Sequence, residues 1–259
     1  MARLKVIMIG DVVGEPGLGA LEAALPGLIR DHEADVVVVN GENAAEGFGM
    51  TEAVLQRILA AGVDVVSSGN HVWEKREFWP VMDAEPRILR PANYPAGTQG
   101  RGWVTFEKAG VSWLVVNLQG REFMPLIDCP FTAFDGLFVH KGEAIMLVDF
   151  HAESNREKEA LAYYLDGRAS LVAGTHTHVQ TADERILPQG TAYITDLGMT
   201  GVEGSIIGMD TKICLDRARN QVLYRMECAH GPGSVQGIVV EIDGDTGKAL
   251  SIRRINGAI

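Results

Sequence analysis

Eight side chains in this 259-residue sequence could bind divalent cations or move protons: Asp11, Glu42, Asn43, Asn70, His71, His151, His176 and His178. Carboxylate and amide oxygens together with imidazole nitrogens form the donor set of a hard or borderline metal ion. An imidazole outside the coordination shell can exchange a proton near neutral pH. Taken singly, most of these residues have an ordinary structural explanation. Gly10-Asp11 reads as a turn in which the carboxylate bonds nearby amides, and Gly41-Glu42-Asn43 as a polar loop. Asn70 reads as the cap of a helix starting near Trp73, and His151 as a satisfied, partly buried histidine. The strongest element is Gly174-Thr175-His176-Thr177-His178. Two imidazoles at i and i+2 of an extended segment project to the same side and reach adjacent metal ions. His32, His140 and His230 lack such a setting and read as ordinary histidines.

Positioning these residues requires elements that converge. Leu4 to Ile9 is a compact apolar run, and Gly17 to Asp31 has the spacing of a helix, with Pro26 inside it. The alternation repeats in Val36 to Val39 followed by Thr51 to Ala61, where Thr51 can cap, and again in Val63 to Ser67 followed by Trp73 to Val81. This rhythm predicts parallel strands joined by right-handed crossovers. Trp103 to Glu107 and Val111 to Val116 predict a hairpin turning at Lys108-Ala109-Gly110. Further strands are expected at Ala144 to Asp149, Leu171 to Ala173, Ala192 to Thr195, Val222 to Met226 and Val235 to Ile242, with a helix at Glu157 to Leu165. Helices become sparse in this half, and the strand count predicts two packed sheets with helices outside. Asp11, Glu42–Asn43, Asn70–His71, His151 and His176–His178 then leave the carboxyl ends of five separate strands, the edge where ligands of α/β sheets gather.

Composition narrows the class. Hydrophobic residues at 46% and charged residues at 22% are those of an ordinary globular protein, expected as one domain over residues 1–259. A net charge of −11 disfavours a long polyanion such as duplex nucleic acid, while a small phosphate ester stays compatible if cations supply local positive charge. No apolar stretch reaches the length of a membrane span, and Met1 to Lys5 lead straight into a strand without the core of a secretory signal. Cys129, Cys214 and Cys228 are too few and too far apart for a disulfide framework or a paired-cysteine zinc site. A cytoplasmic protein is expected, and a homo-oligomer is allowed. Gly14-Glu15-Pro16-Gly17-Leu18-Gly19 lacks the lysine and spacing of a phosphate loop, and Glu15 would repel phosphate.

In order along the chain, Asp11, Gly41-Glu42-Asn43, Gly69-Asn70-His71, His151 and Gly174-Thr175-His176-Thr177-His178 resemble the signature blocks of the calcineurin-like metallophosphoesterases. More narrowly the sequence resembles the bacterial YmdB-type phosphodiesterase branch. That likeness includes Thr177-His178-Val179-Gln180-Thr181-Ala182-Asp183 and Thr195-Asp196-Leu197-Gly198-Met199-Thr200-Gly201. Val13 stands where the wider superfamily has a ligating histidine, and Glu42 where its bridging residue is usually Asp; both are features of the branch. The resemblance implies a four-layer α/β/β/α sandwich of two mixed sheets and a dinuclear centre. One ion would take Asp11, Glu42, Asn43 and His178, and the other Glu42, Asn70, His151 and His176. Replacing a nitrogen ligand by the Asn43 oxygen hardens the donor set and favours iron or manganese over zinc. It further implies hydrolysis of small phosphodiesters, 2′,3′-cyclic nucleotides first, by a metal-activated hydroxide with His71 as general acid. Asn117 and Arg121 are weak candidates for phosphate or ribose contacts. A phosphomonoesterase or nuclease on the same metals stays open, as does a nucleotide-sensing regulator with little turnover.

Overall fold

A computed structural model of the chain describes residues 3–258; Met1 and Ala2, which open the stretch read as free of a leader, lie outside them. From the amino end, β1 (Arg3–Ile9) and β2 (Asp11–Val12) lead into α1 (Gly14–His32), β3 (Val36–Asn40), α2 (Glu52–Ala60) and β4 (Val65–Ser67). A 3-10 turn at Arg76–Phe78 and α3 (Trp79–Ala84) precede β5 (Trp103–Lys108), β6 (Val111–Gln119) and α4 (Pro130–Phe138). Next come β7 (Ile145–His151), α5 (Asn155–Leu165), β8 (Leu171–Thr175), β9 (Arg185–Ile186), β10 (Ala192–Ile194) and β11 (Met199–Val202). The remainder is α6 (Thr211–Asn220), β12 (Gly233–Asp243) and β13 (Ala249–Ala258).

Two mixed sheets form. The first runs β2-β11-β12-β1-β3-β4 with β13 on β12, and the second runs β5-β6-β7-β8-β10-β9. β1, β3 and β4 are parallel, as are β6, β7 and β8, so each sheet presents several carboxyl ends on one edge. Alternation divides most of the strands' apolar residues among three large cores. Ile7, Ile9, Val37 and Val39 pack under Leu18, Leu21, Leu25, Leu55 and Ile58 of α1 and α2. Val6, Met8, Val36 and Val38 meet Trp113, Val115, Leu147 and Leu171 between the sheets. Leu114, Val116, Val148 and Phe150 face Phe134, Leu161 and Leu165 of α4 and α5. The result is the four-layer α/β/β/α sandwich.

Local chemistry explains much of this. Thr51 caps α2, its hydroxyl accepting from Val54 N at 3.3 Å. The β5–β6 hairpin turns on Ala109 and Gly110 at φ 54° and 78°, the left-handed pair that suits strand twist. Several expectations about individual elements fail. Trp73 to Val81 is not one helix: Pro80 occupies the first turn of α3, where its missing N–H costs nothing, so the helix starts there. Val222 to Met226 forms no strand. Val222 and Leu223 are 51% and 85% exposed, and without a face to bury, β-branched residues have nothing to pack on. The second half holds more helix than expected, since α4 opens on Pro130 and α6 is capped by Asp210. β10 stops at Ile194, because Asp183 takes both the amide and the hydroxyl of Thr195. Among the described residues no helix is long and apolar enough to cross a membrane.

Candidate metal centre

The five strand-end segments meet at one place. Asp11, Glu42 and His151 are fully buried, and Asn43 nearly so. Glu42 lies between two groups of donors. On one side, His151 Nε2 is 3.0 Å from Glu42 Oε1, 3.2 Å from Asn70 Oδ1 and 3.0 Å from His176 Nδ1. On the other, His178 Nε2 is 3.7 Å from Asp11 Oδ1 and 3.2 Å from Asn43 Nδ2, which is itself 3.4 Å from Glu42 Oε1. Asn70 therefore does not cap a helix; its oxygen faces His151.

His176 and His178 come together by a route that alternation does not supply. β8 ends at Thr175, and His176 and His178 take φ of 102° and 63°, so the two imidazoles sit on a left-handed hook and not on an extended strand. Bonds from distant residues hold the hook. His176 N donates to Asp11 Oδ2 at 3.2 Å, and His178 Nδ1 lies 2.8 Å from the carbonyl of Ile207. Thr177 donates to Asp196 Oδ2 from its amide at 3.1 Å and from its hydroxyl at 2.8 Å. Asp196 in turn pairs with the wholly buried Lys158 at 2.6 Å.

Behind His151 lies a second buried set that the sequence reading missed. Thr175 Oγ1 donates to Asp149 Oδ1 at 2.7 Å, so its oxygen is left to accept from His151 Nδ1 at 3.0 Å. That fixes the imidazole with Nε2 toward Glu42, as orienting partners of metal-binding histidines do. Asn40 and Ser67 complete the shell by donating to Asp149 Oδ2, Asn40 at 3.0 Å. Asn40 and Asp149 did carry a signal, being polar residues at or near the end of unbroken apolar runs. Gly69 has no room for a side chain, since a Cβ there would lie 2.1 Å from the His151 ring.

Electrostatics agree with a cation centre. Burial raises the Asp11 carboxyl. Burial would also raise Glu42, but His151 overrides it and holds the carboxyl down at about 2. For His151, burial opposes the charge, yet Glu42, Asp11 and Asp149 outweigh it and push the imidazole up to about 9. Burial and His151 together bring His176 down to about 3, leaving it a neutral nitrogen donor. The carboxylates thus create a negative potential that draws either a proton or a metal ion to His151 Nε2. Asp11 Oδ1 and Asn43 Oδ1 are buried without a hydrogen-bond partner among the described residues, oxygens that a divalent cation would satisfy. Glu42, His151 and His176 bring ligand atoms within 4.8 Å of one another, a donor set that fits a divalent ion.

The remaining candidates separate. His71 stands beside these groups: its backbone N donates to Glu42 Oε2 at 2.9 Å, while Nδ1 lies 3.3 Å from Glu74 Oε1. Asn117 is fully buried under the site, its oxygen accepting from Ser68 N at 2.9 Å. Arg121 lines a neighbouring surface pocket with Glu122, Phe131 and Arg156, and its amide bonds Glu157 at 2.9 Å.

Known proteins resemble this chain along its whole length. Residues 7–255 match the family described as YmdB-like protein. A 2′,3′-cyclic-nucleotide 2′-phosphodiesterase of Bacillus subtilis (strain 168) is 46% identical over 255 residues, covering 97% of this chain and 96% of its own. The crystal structure of a phosphatase from Mycoplasma pneumoniae superposes with a TM-score of 0.95 at 31% identity, covering 100% of this chain and 94% of that one. A crystal structure of a hypothetical protein from Thermus thermophilus gives 0.91 at 42% identity, covering 98% and 99%.

Proposed function

This chain belongs to the YmdB-like family and is a hydrolase of phosphoric esters, from which we infer that small phosphodiesters, 2′,3′-cyclic nucleotides foremost, are its substrates. The observation that carries the inference is the position of Glu42 between two donor groups, in a chain 46% identical to a 2′,3′-cyclic-nucleotide 2′-phosphodiesterase. One divalent ion would be held by Asp11, Glu42, Asn43 and His178, and a second by Glu42, Asn70, His151 and His176. Such a pair supplies Lewis-acid stabilisation of the phosphoryl oxygens and lowers the pKa of water at the site. The prevalence of oxygen donors, Asn43 included, favours iron or manganese over zinc.

The chain's own contribution is orientation and proton transfer. Thr175 and Asp149 hold His151, and Asp196 and Lys158 hold the hook of His176 and His178. His71 is outside both donor groups. With Nδ1 engaged by Glu74, its Nε2 is the nitrogen free to donate a proton to the departing oxygen, the general-acid role. The same reading takes residues 1–259 as one domain, because both sheets donate to one site. It places the protein in the cytoplasm, where three free cysteines are at home.

Manganese-loaded protein should hydrolyse bis-p-nitrophenyl phosphate faster than p-nitrophenyl phosphate, and should open 2′,3′-cyclic AMP in a single turnover. Equal or greater monoester turnover would overturn the diesterase reading. Return of the cyclic nucleotide intact would leave a sensor in its place.

A further inference from the structure

Gln119, the last residue of β6, lies directly opposite His151 in the β6–β7 ladder. The alternation that sends Leu118 and Phe150 to the outer core turns Gln119 and His151 toward the face between the sheets, where the donor groups sit. Everything about Gln119 is fixed except one group. Asn93 clamps its main chain from both sides, accepting from Gln119 N at 2.9 Å and donating to Gln119 O at 2.8 Å. The hydroxyl of Tyr94 donates to Gln119 Oε1 at 3.1 Å, and Trp73 packs against Tyr94 with ring centroids 4.3 Å apart. Gln119 Nε2 is buried and has no acceptor among the described residues, and the indole Nε1 of Trp73 is in the same condition. Buried amide donors in folded proteins are almost always paired, so an unpaired one held this firmly points to an acceptor that arrives with a ligand. The adjoining donor groups say which kind: a centre of two cations draws an anionic oxygen. A neutral amide suits the position, since a lysine or arginine there would repel those cations.

We propose that Gln119 donates from Nε2 to a phosphoryl oxygen of the substrate, with Tyr94 as the positioning residue that holds the amide. This rests on the phosphoesterase reading and adds a substrate-binding residue to it. In manganese-loaded protein, Gln119→Met keeps the length of the side chain and removes the donor. Metal content and thermal midpoint should stay unchanged. The dissociation constant of inorganic phosphate, measured by calorimetry, should rise roughly ten- to hundredfold, the loss of one hydrogen bond to a charged oxygen. KM for both bis-p-nitrophenyl phosphate and 2′,3′-cyclic AMP should rise with it. Tyr94→Phe, which keeps the ring, should give a smaller rise in the same constants with metal content intact. Unchanged phosphate binding in Gln119→Met overturns the proposal, as does depletion of metal. Should that variant not fold, unchanged phosphate binding in Tyr94→Phe overturns it instead. A wild-type protein inactive on both diesters would strike the functional reading alone, because the phosphate titration judges Gln119 without turnover.

Discussion

The strand-end floor of the candidate metal centre and the arm of residues 203–228 are built on opposite terms. In the floor, Asn40, Asp149, Thr175 and His151 are all fully buried and bonded to one another, and Gly69 abuts the His151 ring. In the arm, α6 buries no residue, while Leu215, Val222 and Leu223 are 50%, 51% and 85% exposed. Its inner edge packs through Met209 and Cys228 near Val13, and Ile207 offers a carbonyl to His178. The contrast teaches that ligand geometry here is set by the sheets, where a displaced atom has no room to relax. The arm contributes the Ile207 carbonyl to that geometry, and its outer face, α6 with Val222 and Leu223, should tolerate change.

Mutations can test how sharp this division is. The largest effect should come from Glu42→Gln, which removes the carboxylate common to both donor groups: elemental analysis should show loss of metal, and turnover should vanish with it. His71→Ala should keep both metals and lose about 10²–10⁴-fold in kcat, the usual yield of a general acid. If that variant proves empty of metal, the acid role fails. Next comes Lys158→Met, which strands the buried Asp196 carboxylate behind the hook. Denaturant unfolding should show a loss of about 3–5 kcal/mol, the cost of an uncompensated buried charge. A loss below about 1 kcal/mol would mean that Asp196 finds another partner.

A gentler probe is pH. Burial would raise the Asp183 carboxyl, but hydrogen bonds from Thr181 and Thr195 outweigh it and hold it below the ordinary range. A depressed carboxyl stabilises the fold above its unfolded pKa of about 3.9 and loses that contribution as pH falls through the folded value. Asp183→Asn should therefore lower stability at neutral pH and flatten its fall in acid. Parallel stability curves for the two proteins from pH 7 to pH 3 would contradict this. The smallest effect belongs to the arm: Leu223→Ser should change stability by no more than about 0.5 kcal/mol. A larger loss would show that the arm packs as tightly as the floor.

What the sequence disclosed follows the same division. β1, β3, β7 and β8 were legible because strands covered on both faces are largely apolar runs, and the metal-binding candidates lie within three residues of where those strands and β4 end. Helix α6 left no trace because a helix that buries nothing carries no apolar stripe. β13 was hidden by Arg253 and Arg254 set between Ile252 and Ile255, which break alternation. Asn117 could be named from the sequence, yet only the fold shows it bonded to Ser68 beneath the site. The roles of Thr175, Asp196 and Lys158 escaped because they lie in partners distant along the chain, the Thr177–Asp196 bond spanning 19 residues, Thr175–Asp149 26 and Lys158–Asp196 38.

His176 and His178 hold a backbone geometry that L-residues other than glycine rarely enter, and nothing nearby in the chain persuades them to take it. Their restraints come from Asp11, 165 positions away, and from Ile207, 29 positions away. During refolding, then, the hook can set only after both sheets have come together. Affinity for metal should emerge later than the burial of Trp113 between the sheets, so a fluorescence trace and a metal-uptake trace of the same reaction should not superimpose.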